Sequence, residues 1–368
     1  MSKYKELSAF FAVLLWVLSV PCSGEQVWRL SPETGWEEIS DSPQGKFLLR
    51  VSEIKQQIER GDTEEAMRAL ETLETDFPQF AGPDLSLYIE GEKLYIKNKW
   101  SKAAVKYKKC LTDYPDSPLV MAAAERLYSI GAAYMGGQKR PFLKIFHLPA
   151  YEEGEKILRD LSDRWGNAPL AYRSLVTIAE SQERREKFLD AYQTWAEIAD
   201  RWPTGESGRI ALLRMAQSLH AAYRSPHYDA TVLRGAASYF EDYRKRYEAS
   251  AAELGIDQKL EMIREQQAYK DFFVGLYYER TEQLEAAMMY YRLVADKYPQ
   301  SRAAQMALQH QTAIEQGKSL LPPKTMRRKV FEAGADFLDH WFGVGYIVDL
   351  PTGQERTPRS TAEGTNRL

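Results

Sequence analysis

The sequence is poor in the residues that most enzyme chemistry needs. Among 368 residues it has two cysteines, Cys22 and Cys110, and five histidines. Two cysteines, one of them inside an N-terminal leader, leave no intrachain disulfide framework. His147, His220, His227, His310 and His340 are scattered, and Pro226 breaks the stretch between the two nearest. None has metal-ligand spacing on a helix, so no metal or cofactor is expected. A basic excess is also missing. The net charge is −3, which speaks against a nucleic-acid partner. Glycine-rich phosphate or nucleophile motifs are absent. Gly317-Lys318-Ser319 is the tail of a phosphate loop whose earlier glycine is replaced by Thr312. Paired acids such as Glu37-Glu38 and Glu152-Glu153 read as solvated faces, not acid/base pairs. An enzyme is not expected. Period-two strand patterns bounded by turn residues are nearly absent as well.

One long apolar run stands near the start. Residues 7–20 are almost wholly apolar, follow Lys3 and Lys5, and precede Pro21-Cys22-Ser23-Gly24. That is the layout of a secretory signal peptide, too short for an ordinary transmembrane span. Residues 1–24 are expected to be removed, with retention as an N-terminal anchor helix as the alternative. Cys22 is the candidate lipid-attachment residue. Ser19 and Pro21 occupy the places that a lipoprotein signal gives to leucine and a small residue, which favours ordinary cleavage near Gly24. The expected location is the periplasm or the outer-membrane periphery. Cys110 sits on the apolar face of a predicted helix and is expected to be a buried thiol.

Against these absences stands a repeat. Ala66, Ala103, Gly154, Ala191, Ala236 and Ala287 are each followed four places on by Leu70, Tyr107, Leu158, Trp195, Phe240 and Tyr291. Seven places on stand Leu73, Cys110, Leu161, Ile198, Tyr243 and Val294. Eleven places on stand Phe77, Tyr114, Trp165, Trp202, Tyr247 and Tyr298. Such offsets fall on one helical face. Pro78, Pro115, Pro203 and Pro299 follow four of the aromatics and end the helix. Residues 86–97, 170–183 and 269–280 predict a preceding helix in three units. Asn98-Lys99, Arg184-Arg185-Glu186 and Thr281-Glu282 separate the two helices, giving antiparallel hairpins. The aromatics recur at intervals of 37, 51, 37, 45 and 51 residues. The shorter intervals approach the roughly 34-residue tetratricopeptide period. Insertions at 135–149, 225–230 and 248–260 lengthen the others. The expectation is an all-α, tetratricopeptide-like α-solenoid of about six helix hairpins with a C-terminal capping helix, whose neighbouring units share one apolar seam.

Three features resemble the outer-membrane assembly lipoproteins of the BamD (YfiO) type and their tetratricopeptide relatives. One is the ending Asp113-Tyr114-Pro115-Asp116-Ser117 and Lys297-Tyr298-Pro299-Gln300-Ser301. Another is the insertion between Tyr134 and Tyr151. The third is Phe272-Phe273-Val274-Gly275-Leu276-Tyr277-Tyr278-Glu279-Arg280 in the last unit. The resemblance covers about residues 45–315. It implies a periplasmic scaffold that docks on an outer-membrane insertase and helps admit unfolded barrel proteins.

In a solenoid the first helix of each pair typically lines the concave side. Tyr88, Tyr95, Tyr128, Tyr172, Tyr223 and Tyr278 are therefore the groove candidates, since aromatic side chains anchor interfaces. Lys139, Arg140, Phe142, Lys144 and Phe146 form a candidate docking loop for a partner or an anionic lipid surface. The alternative is that their aromatics fold back on the core. Residues 326–348 follow Pro322-Pro323, begin with Arg327-Arg328-Lys329, and carry Val330, Phe331, Phe337, Leu338, Trp341, Phe342 and Ile347. They read as an amphipathic helix that either caps the solenoid or meets a partner or membrane. The domain reading is signal peptide 1–24, linker 25–44, helical repeats 45–317, C-terminal amphipathic helix 318–350 and disordered tail 351–368. The expected function is a non-catalytic envelope scaffold binding proteins or extended peptides, in outer-membrane protein assembly. The alternative is an adaptor in cell-wall remodelling, division or secretion.

Overall fold

The computed structural model describes residues 28–31, 35–142 and 146–321. The expected signal peptide with Cys22, Lys144 of the docking loop, and everything beyond Leu321 lie outside the described residues. The fold is all-α and tetratricopeptide-like. The first three hairpins are α1 (Pro43–Arg60) with α2 (Thr63–Asp76), α3 (Pro83–Ile96) with α4 (Trp100–Asp113), and α5 (Val120–Met135) with α6 (Tyr151–Trp165). Next come α7 (Pro169–Arg184) with α8 (Phe188–Arg201), and α9 (Gly205–Ala222) with α10 (Thr231–Arg246). A short α11 (Glu248–Glu253) precedes the last hairpin, α12 (Ile256–Arg280) with α13 (Leu284–Lys297), and α14 (Arg302–Glu315) follows it. The chain divides into two compact units, one reaching Ile157 and one starting at Leu158, so the division falls inside α6.

The turns explain why the hairpins form where the sequence breaks. After α1, α3, α7 and α12, residues Gly61, Asn98, Glu186 and Glu282 have left-handed φ values of 90°, 54°, 60° and 65°. Each donates its N–H back to the helix it leaves, and so does the residue after it. Asn98 N–H bonds to Tyr95 O and Lys99 N–H to Leu94 O; Glu282 and Gln283 bond to Glu279 O and Tyr278 O. These bonds satisfy the last carbonyls of the helix and reverse the chain. The second helices also stop alike. Phe77, Tyr114, Trp202, Tyr247 and Tyr298 cap five of them with φ between −129° and −135° and ψ between 55° and 70°.

The repeat positions form the core in both units. Every residue four or seven places after the small one is buried, at 3% exposure or less. The small residue lets the paired helix approach, and a second small residue completes the fit. A Cβ on Gly91 would lie 2.5 Å from the Tyr107 ring, and one on Gly275 would lie 2.6 Å from the Tyr291 ring. Ala179 holds the matching place, sixteen residues before Trp195. In the second unit one apolar cluster gathers around Phe240 and Tyr243, and another around Phe272 and Tyr291.

Several elements differ from the sequence expectation. The insertion at 248–260 is helical, and α12 starts at Ile256 instead of near Tyr269, directly after Gly255. An additional helix, α14, begins where the Ser301 side chain accepts the Ala304 N–H. Two short strands, β1 (Trp28–Ser31) and β2 (Gly35–Glu38), pair antiparallel within the segment expected as a linker. A second pair, β3 (Lys139–Phe142) and β4 (Phe146–Pro149), stands in the insertion between α5 and α6. Four-residue strands lie at the lower limit of length at which alternation signals a strand.

Candidate partner-binding surface

Three buried carboxylates fasten successive hairpins by one recurring arrangement. In the first unit Glu92, on α3, accepts the Tyr107 hydroxyl at 2.7 Å and a two-pronged bond from Arg126 on α5, with Nε to Oε1 at 2.8 Å and Nη2 to Oε2 at 2.7 Å. In the second unit Glu183, on α7, accepts Trp195 Nε1 at 2.8 Å and Arg214 Nη1, from α9, at 3.1 Å. Glu279, on α12, accepts the Tyr291 hydroxyl at 2.5 Å and His310 Nδ1, from α14, at 2.7 Å. The aromatic donor is always the residue four places after the repeat's small residue. The nitrogen donor always comes from the next first helix. Each carboxylate therefore ties one hairpin together and fixes the following one to it.

The electrostatics match that role. Burial, and then Glu92, holds the Tyr88 and Tyr107 hydroxyls well above the usual phenol range. Burial and Glu279 do the same to Tyr291. Burial raises the Glu183 carboxyl against the pull of Arg214. Arg126 is raised although burial opposes it, because Glu92 outweighs the desolvation. Tyr107, Arg126, Glu183 and Tyr291 all bond to neighbouring helices. Cys110 is buried, and its thiol is pushed up to about 11 by burial and then by Asp84. Among the described residues no three His, Cys, Asp or Glu side chains gather as metal ligands. No described helix is long and apolar enough to cross a membrane.

The structure sorts the aromatic candidates. Tyr88 and Tyr223 are buried, which withdraws them from any groove. The first helices pack on more than one side, so a tyrosine there has no assured path to solvent. Tyr95, Tyr128, Tyr172 and Tyr278 are half-buried. Tyr95 stacks on Trp100 at 5.8 Å beneath the Arg126 guanidinium, and Tyr172 meets Trp202 edge-on at 5.3 Å. They belong to separate local clusters within their units. Lys139 is exposed, and the backbone pairs Phe142 with Phe146 in the β3–β4 ladder. The described residues of the docking segment thus lie on two paired strands.

One cluster was not read from the sequence as a group. Tyr278 stacks on Tyr290 at 5.4 Å with 18° between the ring planes, and meets Tyr277 edge-on at 5.6 Å. The Arg280 guanidinium lies 6.0 Å from the Tyr277 ring centre. Tyr277 is 49% exposed. Three tyrosines and an arginine at one turn have the composition of an interface anchor. The adjacent tyrosines were visible in sequence, but Tyr290 joins them only once the hairpin closes.

Fold and surface together define the class: a tetratricopeptide-like helical-repeat protein. No family model and no curated protein matches the sequence. Among solved structures the chain is similar to PilW, described as a widely conserved type IV pilus biogenesis factor. The identity is 16%, the match covers 71% of this chain and 98% of PilW, and the TM-score is 0.29. So slight a likeness leaves the class resting on the repeats themselves.

Proposed function

We propose that the chain is a non-catalytic scaffold that binds protein partners at the cell envelope. The observation that carries this reading is the division of labour among its polar and aromatic groups. The buried carboxylates fix hairpins to one another, while Tyr277, Tyr278, Tyr290 and Arg280 stand together at the surface. Rigid elements presenting aromatic and arginine anchors are what a protein partner needs. The apolar leader supports export, and the resemblance of the Tyr-Pro endings to outer-membrane assembly proteins supports a place in barrel-protein assembly.

The test is a crosslinking pull-down from intact envelopes with the natural chain, with Tyr277→Ala/Tyr278→Ala, and with residues 139–146 deleted. Recovery of an outer-membrane insertase, lost in the double alanine chain, is the expected result. Recovery of wall synthases or secretion components would move the protein to another envelope machine. A set of partners unchanged by both alterations would end the roles given to these surfaces.

A further inference from the structure

We propose that α13 pairs antiparallel with α13 of a second copy of the chain, about a two-fold axis that passes between Met288 and Met289. This does not depend on the identity of any envelope partner.

The face is an open, largely apolar groove. About 460 Å³ is lined by Leu284, Glu285, Met288, Met289 and Arg292 of α13 and by Ile314 of α14. Glu285, Met289 and Arg292 are exposed, Met289 at 60%. Elsewhere in the second unit the equivalent face is covered. Tyr192, one place after the small residue of α8, holds its hydroxyl 3.1 Å from that of Tyr239 on α10. Met288 holds that place on α13, one after Ala287. Among the described residues no second helix follows α14 to cover it.

The order of residues on this face selects a second copy as its occupant. Glu285 stands three places before Met288, and Arg292 stands three places after Met289. Read outward from the midpoint, the face is the same in both directions, except that an acid at one end answers a base at the other. At about 100° per residue, Glu285 and Arg292 lie within about 20° of each other around the helix, and Met288 and Met289 flank them at about 50° on either side. An antiparallel copy turned about the midpoint therefore sets Glu285 opposite Arg292 of the other copy, once on each side of the axis. The methionines of both copies meet at the axis, where their unbranched, polarizable side chains can adapt to one another. A parallel copy would instead set like charges together, which disfavours it. Among the described residues neither Glu285 nor Arg292 has an ion-pair partner within its own chain. Tyr290, two places beyond Met288, lies on the opposite side of the helix. The tyrosine cluster and this face are thus separate surfaces.

Charge reversal tests the pairing, read by sedimentation velocity of the full chain at concentrations up to roughly the hundred-micromolar range. The natural chain is expected to form a dimer whose share rises with concentration. Glu285→Arg sets arginine against arginine, and Arg292→Glu sets carboxylate against carboxylate. Each should raise the dimer dissociation constant on the order of tenfold or more. Circular dichroism should show both variants folded, since the two positions are exposed. Mixing the two variants should restore the dimer as a heterodimer, because every arginine then faces a carboxylate. Glu285→Arg/Arg292→Glu should dimerise by itself like the natural chain. A natural chain that stays monomeric throughout overturns the proposal, whether the face is then covered by the rest of its own chain or by another protein. A dimer indifferent to both reversals overturns it by placing the contact elsewhere. Loss of the dimer in each variant without recovery on mixing overturns the antiparallel arrangement.

Discussion

His310 Nδ1 stands 2.7 Å from the Glu279 carboxylate, and this charge-assisted bond joins those from the Arg302 and Ala303 N–H groups to Glu265 in holding the last described helix to the last hairpin. Replacing His310 with leucine should weaken this attachment by about 1.5–3 kcal/mol, the usual range for a hydrogen bond to a charged group. Amide exchange should quicken across Arg302–Glu315 and stay unchanged across α7 to α10. Uniform quickening would mean that α14 is integral to the folding of the whole unit.

Glu92 and Arg126 are both fully buried in the first unit. Arg126→Met leaves Glu92 charged and without its main partner, a loss of about 3–5 kcal/mol by comparison with broken buried pairs. Glu92→Met/Arg126→Met removes both charges and should recover most of that loss. Urea unfolding of the two variants decides it. A double variant no more stable than the single one would mean that the bidentate geometry itself supplies the stability.

His220 is buried, with Nε2 donating to Gln266 Oε1 at 3.0 Å and Phe240 edge-on to its ring. Burial pushes its value down from 6.5 to about 4, the Gln266 bond opposes that, and Lys259 adds to it. A histidine lowered in the folded state takes its proton more readily when unfolded. Its contribution to stability is complete above pH 6.5 and is lost as pH falls toward 4. The loss integrates to about 3 kcal/mol at most. Urea midpoints from pH 7.5 to 5 should fall for the natural chain and fall less for His220→Gln. Parallel slopes would assign the sensitivity to other groups.

Gly275 lies against the Tyr291 ring, and an added methyl would sit 2.6 Å from it. Alanine normally strengthens a helix by about 1 kcal/mol over glycine. Here overpacking, typically about 1–3 kcal/mol, should win and also stretch the Tyr291–Glu279 bond. Gly275→Ala is therefore expected to lower the melting temperature, read by circular dichroism. A rise would show that α12 and α13 can move apart without loss.

The periodic part of the architecture was legible because its cause is local. Ala191, Trp195 and Ile198 lie on one face of one helix, so their spacing announces both the helix and its buried side. The breaks at Asn98, Glu186 and Glu282 were legible for the same reason. Glu92 and Arg126 were not. They stand 34 residues apart, and neither has a neighbour in sequence that marks it as buried. Tyr88 and Tyr223 were misplaced because periodicity identifies a helix but not how many neighbours cover it. The start of α12 was missed because residues 256–268 are mostly polar, and the helix is completed by packing of Ile256, Ile263 and Ala268.

Five second helices share one exit conformation, and Tyr247 adopts it although the next residue is Glu248, not proline. The departure direction is thus written by the aromatic residue. Proline only forbids overshoot. That separation gives a splice point: between Tyr247 and Ile256 the chain already carries a detour, and foreign cargo grafted there would start from a heading that the remaining modules do not have to relearn.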